Sequence, residues 1–271
     1  MDITASRVVG VGRVVRAAAA NALADFRATY TWYSWTFGWL GRMLCQVTFF
    51  ALIGSFLHSP AQTRYLVLGN SVATCVIEAM TVVVSTSWER AQGTLALLAA
   101  APSEMGWVFL GRSLQWPVSG CGTSLVALLL LDPWFGVHFA AAQVPLLVVL
   151  VVLTAFGTYC FGLFLGAFVL AAPAVRNIVY NAAFLITMAI GGVQVPTGFW
   201  PFGVRLLART LPATHGVAAV RALADGAGPA AVARPAAFAA VAGVLWLAAA
   251  LTAFRLSAER ARRHDGYEFA V

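Results

Sequence analysis

Lysine is absent from this chain of 271 residues; all seventeen basic residues are arginine. A P-loop needs its lysine to reach the nucleotide phosphates, so no Walker-type ATP site is expected here. Charge of either sign is scarce, at 10% of residues, against about 25% in soluble domains. The four cysteines, Cys45, Cys75, Cys121 and Cys160, fall in four different apolar runs. Without CxxC or Cys/His spacing they suggest neither a metal site nor a disulfide framework, and read as small packing residues. His58, His138 and His215 are far apart, so no shared metal site is expected. Gly10-x-Gly12 lacks the further glycine of a nucleotide loop and precedes no strand pattern. No Ser/His/Asp grouping is located by spacing, so the chain reads as no enzyme, with no cofactor of its own. The first thirty residues hold no apolar signal core, and the first span is expected to direct insertion. Spans 1–3 and 4–6 share no punctuation, which argues against an inverted-repeat transporter.

Apolar residues are abundant instead. They make up 61% of the chain, and mean hydropathy is +0.84. The runs are continuous and bilayer-length, unlike the short alternating segments of a membrane barrel. The fold class is therefore an all-α integral membrane protein with six transmembrane helices. The spans are expected at Trp35–Leu57, Tyr65–Thr86, Trp107–Leu131 with a kink at Pro117, Gln143–Leu170, Asn177–Val193 and Ala236–Leu256. Residues 35–256 thus form one transmembrane domain, and 225–235 a Gly/Pro/Ala loop. A charged tail at 257–271 is expected to be partly disordered. The formal charge of +7 raises nucleic acid as a partner, but arginines at span ends fit orientation better.

Residues 1–34 read as an amphipathic helix lying in the membrane interface. Val8, Val11, Val15, Ala22 and Phe26 recur at helical spacing between Arg7, Arg13, Arg16 and Arg27, and the aromatic cluster Tyr30–Trp35 follows. An even number of spans puts both termini on one side. That side carries Arg7, Arg13, Arg16, Arg27, Arg90, Arg176, Arg255, Arg260, Arg262 and Arg263. The other carries Arg64, Arg205, Arg209, Arg221 and Arg234. The positive-inside rule makes the termini cytoplasmic, in an inner (plasma) membrane.

Two interruptions stand out. Between spans 2 and 3, residues 87–102 form an insert that is charged at Trp88-Glu89-Arg90 and apolar at Leu95, Leu97 and Leu98. Thr86 or Ser87 can cap a helix there, Glu89 suits its first turn, and Pro102 stops it. Such a helix can dock in a groove of a soluble partner; an ordinary interfacial helix fits the spacing equally. After span 5, residues 193–224 are too apolar for a free loop and too broken by Gly192, Pro196, Pro201 and Pro212 for a lipid-facing helix. Short external re-entrant helices are expected near Pro201–Leu211 and His215–Ala224.

Glu78 lies near the middle of span 2, where a bare carboxylate is costly. It is expected to face the bundle and pair with Arg42 or Arg112, or to be protonated, or to contact a cationic substrate.

The run Glu89-Arg90-x-x-Gly93-Thr94-Leu95-x-Leu97-Leu98, followed by Pro102, resembles the cytoplasmic coupling segment of type-2 ABC exporter permeases. Gly191-Gly192, Pro196, Pro201, Leu211-Pro212-Ala213-Thr214-His215-Gly216 and Val220-Arg221 resemble the region after span 5 in that family. Ala91-Gln92 and Ala96 depart from the pattern, which more often has acids there. The resemblance implies a permease subunit, in a homodimer or heterodimer, with a coupling helix docked on a separate ABC ATPase that carries the ATP and Mg. Trp88, Glu89, Arg90, Gly93, Thr94, Leu95 and Leu98 are the implied docking residues. The implied cargo is an amphiphilic drug, antibiotic or lipid-like molecule moved outward, as in multidrug efflux. Three competitors remain: export of a lipid-linked glycan by the same machinery, a secondary transporter with no ATPase, and a haem-export-type assembly factor, whose Trp-Gly-x-x-Trp motif is lacking.

Overall fold

Long apolar runs have one economical solution in a bilayer, the α-helix, because it satisfies its own backbone. The computed structural model describes residues 3–88, 93 and 104–263, and no strand occurs among them. Six helical stretches are long and apolar enough to cross a membrane: Ser34–Phe56, Pro60–Ser85, Met105–Phe135, Ala141–Ala171, Pro173–Ile190 and Pro229–Arg260. They are spans 1 to 6 below.

The chain opens with α1 (Ile3–Thr29). Span 1 begins as a π-helix, Ser34–Leu40, and continues as α2 (Gly41–Phe56). The Trp35 indole donates to Ser119 Oγ at 2.9 Å, which draws this wide turn against span 3. Span 2 is α3 (Pro60–Met80), capped by Ser59, whose side chain accepts from the Gln62 amide, with a short extension at Val82–Ser85. Span 3 is broken into α4 (Met105–Arg112) and α5 (Gln115–Val126). The break at Ser113 sits four residues before Pro117, where the ring meets the preceding turn. Span 4 is α6 (Val144–Ala171), led in by a short 3-10 turn at Ala141–Gln143. Span 5 is α7 (Arg176–Ile190). Two short helices follow, α8 (Phe202–Thr210) and α9 (Pro212–Ala224), and then α10 (Pro229–Arg263).

Span 2 is the axis of the bundle. It is 89% buried, against 22% for spans 1 and 5 and 28% for span 6. Small residues let its neighbours close in, as is usual between helices in lipid. A Cβ at Gly120 of α5 would come 3.0 Å from the Cys75 backbone, and one at Gly162 of α6 2.6 Å from Val82. Spans 4 and 6 meet at Gly157 and Gly243, where an added Cβ on the latter would lie 3.0 Å from the former's Cα. The outer helices turn Phe49, Leu52, Phe56, Ile178, Leu185 and Val244 outward, which suits an apolar surround rather than water.

One expectation needs correction, and two others gain detail. Span 6 starts at Pro229, so the loop expected through Pro235 is helical, with Pro235 inside α10. Its missing N–H frees the Ala231 carbonyl, and Ala231 is exposed near the helix start, where outside donors can satisfy the group. The same helix runs to Arg263, so the first seven residues of the expected disordered tail are helical. Finally, α1 is docked against the bundle. It packs on α4, where a Cβ at Gly111 would meet the Val15 carbonyl at 2.6 Å and the Ala18 Cβ at 2.7 Å, while Arg13, Arg16 and Arg27 stay exposed.

Candidate functional site

The chain is fixed where it enters the insert after span 2 and again at Glu104, just past it. At its entrance, Trp88 meets Trp116 edge to face, with ring centroids 6.1 Å apart. The Trp116 indole donates to Ser85 Oγ at 3.1 Å, and Ser87 Oγ accepts from Arg176 at 3.5 Å. At its exit, Arg255 of α10 grips Glu104 through Oε1 at 3.0 Å and Oε2 at 2.8 Å. The Trp107 indole donates to the same carboxylate at 3.1 Å. Spans 3, 5 and 6 therefore all hold the base of the insert. Gly93 has φ +71°, a left-handed conformation that side chains rarely tolerate. Glu89, Arg90, Thr94, Leu95 and Leu98, with the rest of the expected docking helix, lie outside the described residues.

Beside this entrance is a cavity of about 200 Å³ between the end of α1, span 2 and the break in span 3. Phe26, Tyr30, Trp88 and Trp116 supply aromatic walls, and Asp25 with Arg112 a polar one. Those two form an ion pair at 3.3 Å. Burial pushes the Tyr30 hydroxyl above its ordinary range, and the charge of Glu78 adds to the rise.

Glu78 does face the interior, with no exposed surface. The expected ion pair is not formed. Arg112 is held by Asp25, and Arg42 lies over the Trp39 ring, 5.3 Å from its centroid. Ser119, Thr123 and Trp39 turn side chains toward the carboxyl, with Arg42 beyond them, yet no donor reaches either oxygen with hydrogen-bond geometry. Gly120 explains the close fit, since a Cβ there would sit 3.0 Å from the Glu78 Cβ. The result is a buried acid in a cup of hydroxyls and an indole, without a neutralising partner among the described residues.

The broken region after span 5 is built around Arg221. Its guanidinium donates to the carbonyls of Gly192 (2.6 Å), Tyr65 (2.9 Å) and Val193 (3.0 Å). The Tyr65 hydroxyl also donates to the Gly192 carbonyl, at 2.8 Å. Gly192 reaches this position with φ +79°. Pro196 and Pro201 precede the short helices, and Pro212 opens α9 and touches Gly157 of span 4. Gly157 is thirteen residues into α6, so at 1.5 Å per residue the α8–α9 turn lies about 20 Å along that helix. The sequence marked Arg221 as the end of the motif after span 5 but not its partners; the Gly-Gly break that frees two carbonyls was the available signal for them.

Asp132 was readable only as part of a turn. It is buried, and Ser71 Oγ donates to its Oδ1 at 2.6 Å. Ser124 Oγ donates to the Ser71 carbonyl at 2.9 Å, so spans 2 and 3 are pinned at this end. No group of three or more His, Cys, Asp or Glu side chains able to hold a metal occurs among the described residues.

The arrangement defines a six-span helical bundle with a braced insert at one end and an inserted helical hairpin at the other. No protein-family model, no curated protein and no solved structure matches the chain.

Proposed function

We propose that the chain is the membrane subunit of an ATP-driven exporter, with the 87–102 insert as the handle that a separate ATPase moves. One observation carries the reading. The insert's entrance is tied to spans 3 and 5 through Trp88–Trp116 and Ser87–Arg176, and Glu104, at the start of span 3 just past the insert, is held by Arg255 of span 6. A force applied to a segment so braced is transmitted to the spans, whereas a slack loop would absorb it. In this reading ATP and Mg stay on the partner subunit, and this chain binds neither. A second permease chain, identical or related, completes the pathway, and the termini and insert face the cytoplasm of an inner-membrane protein. The cargo is an amphiphilic drug, antibiotic or lipid-like molecule, or a lipid-linked glycan.

The test is co-purification. A tagged chain extracted in mild detergent from the cells that make it should bring down an ATP-hydrolysing subunit. Gly93→Val should release that subunit, because valine is strained at φ +71°. Gly93→Asn should retain it, because asparagine tolerates left-handed backbone. Recovery of the chain with no nucleotide-hydrolysing companion would overturn the proposal.

Glu78 supports a second reading, an ion-coupled transporter. A buried carboxyl without an ion pair is a common element of proton and cation relays in membranes. Uptake or efflux in vesicles driven by a proton or sodium gradient, without ATP and lost in Glu78→Gln, would favour it.

A further inference from the structure

A groove of about 460 Å³ runs along α10 from the α8–α9 turn. Phe238, Val241 and Leu245 form its apolar wall, each at least half exposed. Arg209 and His215 close one end. Both residues also border a second cavity of about 630 Å³, and Arg209 borders a third of about 160 Å³ that adds Arg205. Arg209 thus stands where an oily groove meets a chamber that Arg221, Asp225, Thr197 and Thr214 also border.

The charge around this junction is one-sided. Arg205, Arg209, Arg221 and His215 border these two chambers, and the carboxylate there is Asp225. Asp225 is already paired with Arg64 at 3.0 Å, and Arg221 is occupied by three carbonyls. Arg205 and Arg209 have exposed side chains and no ion-pair partner among the described residues. The Thr214 Oγ1, on a residue that borders both chambers, is buried without a hydrogen-bond partner. Arg209 lies three residues before Pro212, beside the turn between α8 and α9.

We propose that this junction binds a bilayer lipid with an anionic headgroup, its acyl chain in the α10 groove and its phosphate at Arg209. The groove suits a chain because its wall is continuous with the lipid-facing side of a long apolar helix. The cations suit a phosphate, because an arginine fork matches its oxygens. His215 links the two parts: its ring stacks on Phe238, 5.5 Å between centroids, and its Nε2 lies 2.8 Å from the Arg209 carbonyl oxygen. The site goes beyond the transport reading and does not depend on an ATPase.

Trp246 reports on occupancy, since it lines the groove and its indole donates to the Thr210 carbonyl at 2.8 Å. The chain is reconstituted in phosphatidylcholine vesicles containing either brominated phosphatidylglycerol or brominated phosphatidylcholine. The Trp246 contribution is the quenching of the wild-type chain minus that of Trp246→Phe. It should favour phosphatidylglycerol roughly fivefold, the selectivity expected of one arginine at an anionic lipid. Arg209→Gln should abolish the preference and Arg209→Lys should keep most of it. Native mass spectrometry gives a readout independent of Trp246: phosphatidylglycerol should remain bound to the wild-type chain and be lost from Arg209→Gln. Equal quenching by the two lipids, or a preference that survives Arg209→Gln, overturns the proposal. So does erasure of the preference by millimolar inorganic phosphate, which would assign the cations to a free anion instead of a lipid.

Discussion

The guanidinium of Arg221 lies face-on over the ring of Tyr65, 3.5 Å from its centroid. The stack joins α9 to span 2, and the same guanidinium fork reaches the Gly192 and Val193 carbonyls beyond the end of span 5. One side chain therefore supplies the donors that a broken backbone lacks. Lysine offers a point charge and cannot stack or fork in this way. Arg221→Lys is expected to destabilise the protein by about 2 kcal/mol and Arg221→Ala by about 3 kcal/mol, from charged hydrogen bonds lost to buried carbonyls. Tyr65→Phe keeps the ring and should cost only about 1 kcal/mol. Thermal unfolding in detergent should rank the variants in that order. Equal stability of Arg221→Ala and the parent would refute the role.

The α8–α9 hairpin can enter the bundle only because Gly216 carries no side chain. A Cβ there would fall 2.0 Å from Thr154 Oγ1 and 2.7 Å from Thr154 Cβ. Neither helix can give way cheaply, since Thr154 is buried in α6. Gly216→Ala should lower stability by about 1–3 kcal/mol through overpacking. Thr154→Gly removes all three atoms that clash and should recover part of that loss in the double variant, a coupling that a thermodynamic cycle would read directly. Additive losses would mean that the two positions do not touch.

Glu78 makes no ion pair, so removal of its charge should be tolerated. Glu78→Gln preserves shape and is expected to change stability by less than about 1 kcal/mol. Breaking a buried pair would instead cost about 3–5 kcal/mol. Arg42→Gln should be similarly mild, since its guanidinium rests on Trp39. A large loss in Glu78→Gln, matched by Arg42→Gln and not additive with it, would restore the ion pair that the geometry excludes. Urea or thermal denaturation of the two single variants and the double variant decides the matter.

The sequence specified the spans well because bilayer-length apolar runs have few alternatives. Expected and observed limits differ by about five residues or fewer in spans 1 to 5. The exception was the start of span 6, where Pro235 looked like a stop. A proline's steric demand falls on one turn, and here that turn sits near a helix start with Ala231 exposed, so the helix passes through it. The hairpin after span 5 was also legible, because Gly192, Pro196, Pro201 and Pro212 each break an apolar stretch at a definite place. Charge pairing was not. Asp25 and Arg112 are 87 positions apart, and only the docking of α1 on α4 brings them together. Hydropathy patterns fix which stretches are helical and leave open which faces touch, and pairing is a property of faces.

The seat of α1 depends on packing more than on charge. The Asp25–Arg112 ion pair is 3.3 Å long, and the Asp25 side chain is 59% exposed. Exposed pairs of this kind contribute about 0–1 kcal/mol, so Asp25→Asn should leave α1 in place. Gly111 is different, because the Val15 carbonyl and Ala18 Cβ occupy the space above it. Gly111→Leu should displace the helix outright. Limited proteolysis within residues 10–29 is the sensitive measurement, since a detached amphipathic helix is cut sooner than a docked one. Rapid cleavage in Gly111→Leu with parent-like resistance in Asp25→Asn is the expected pattern. The reverse pattern would assign the seat of α1 to the ion pair. Because α1 also walls the aromatic cavity beside Trp88, its displacement should be accompanied by a change in Trp88 and Trp116 fluorescence.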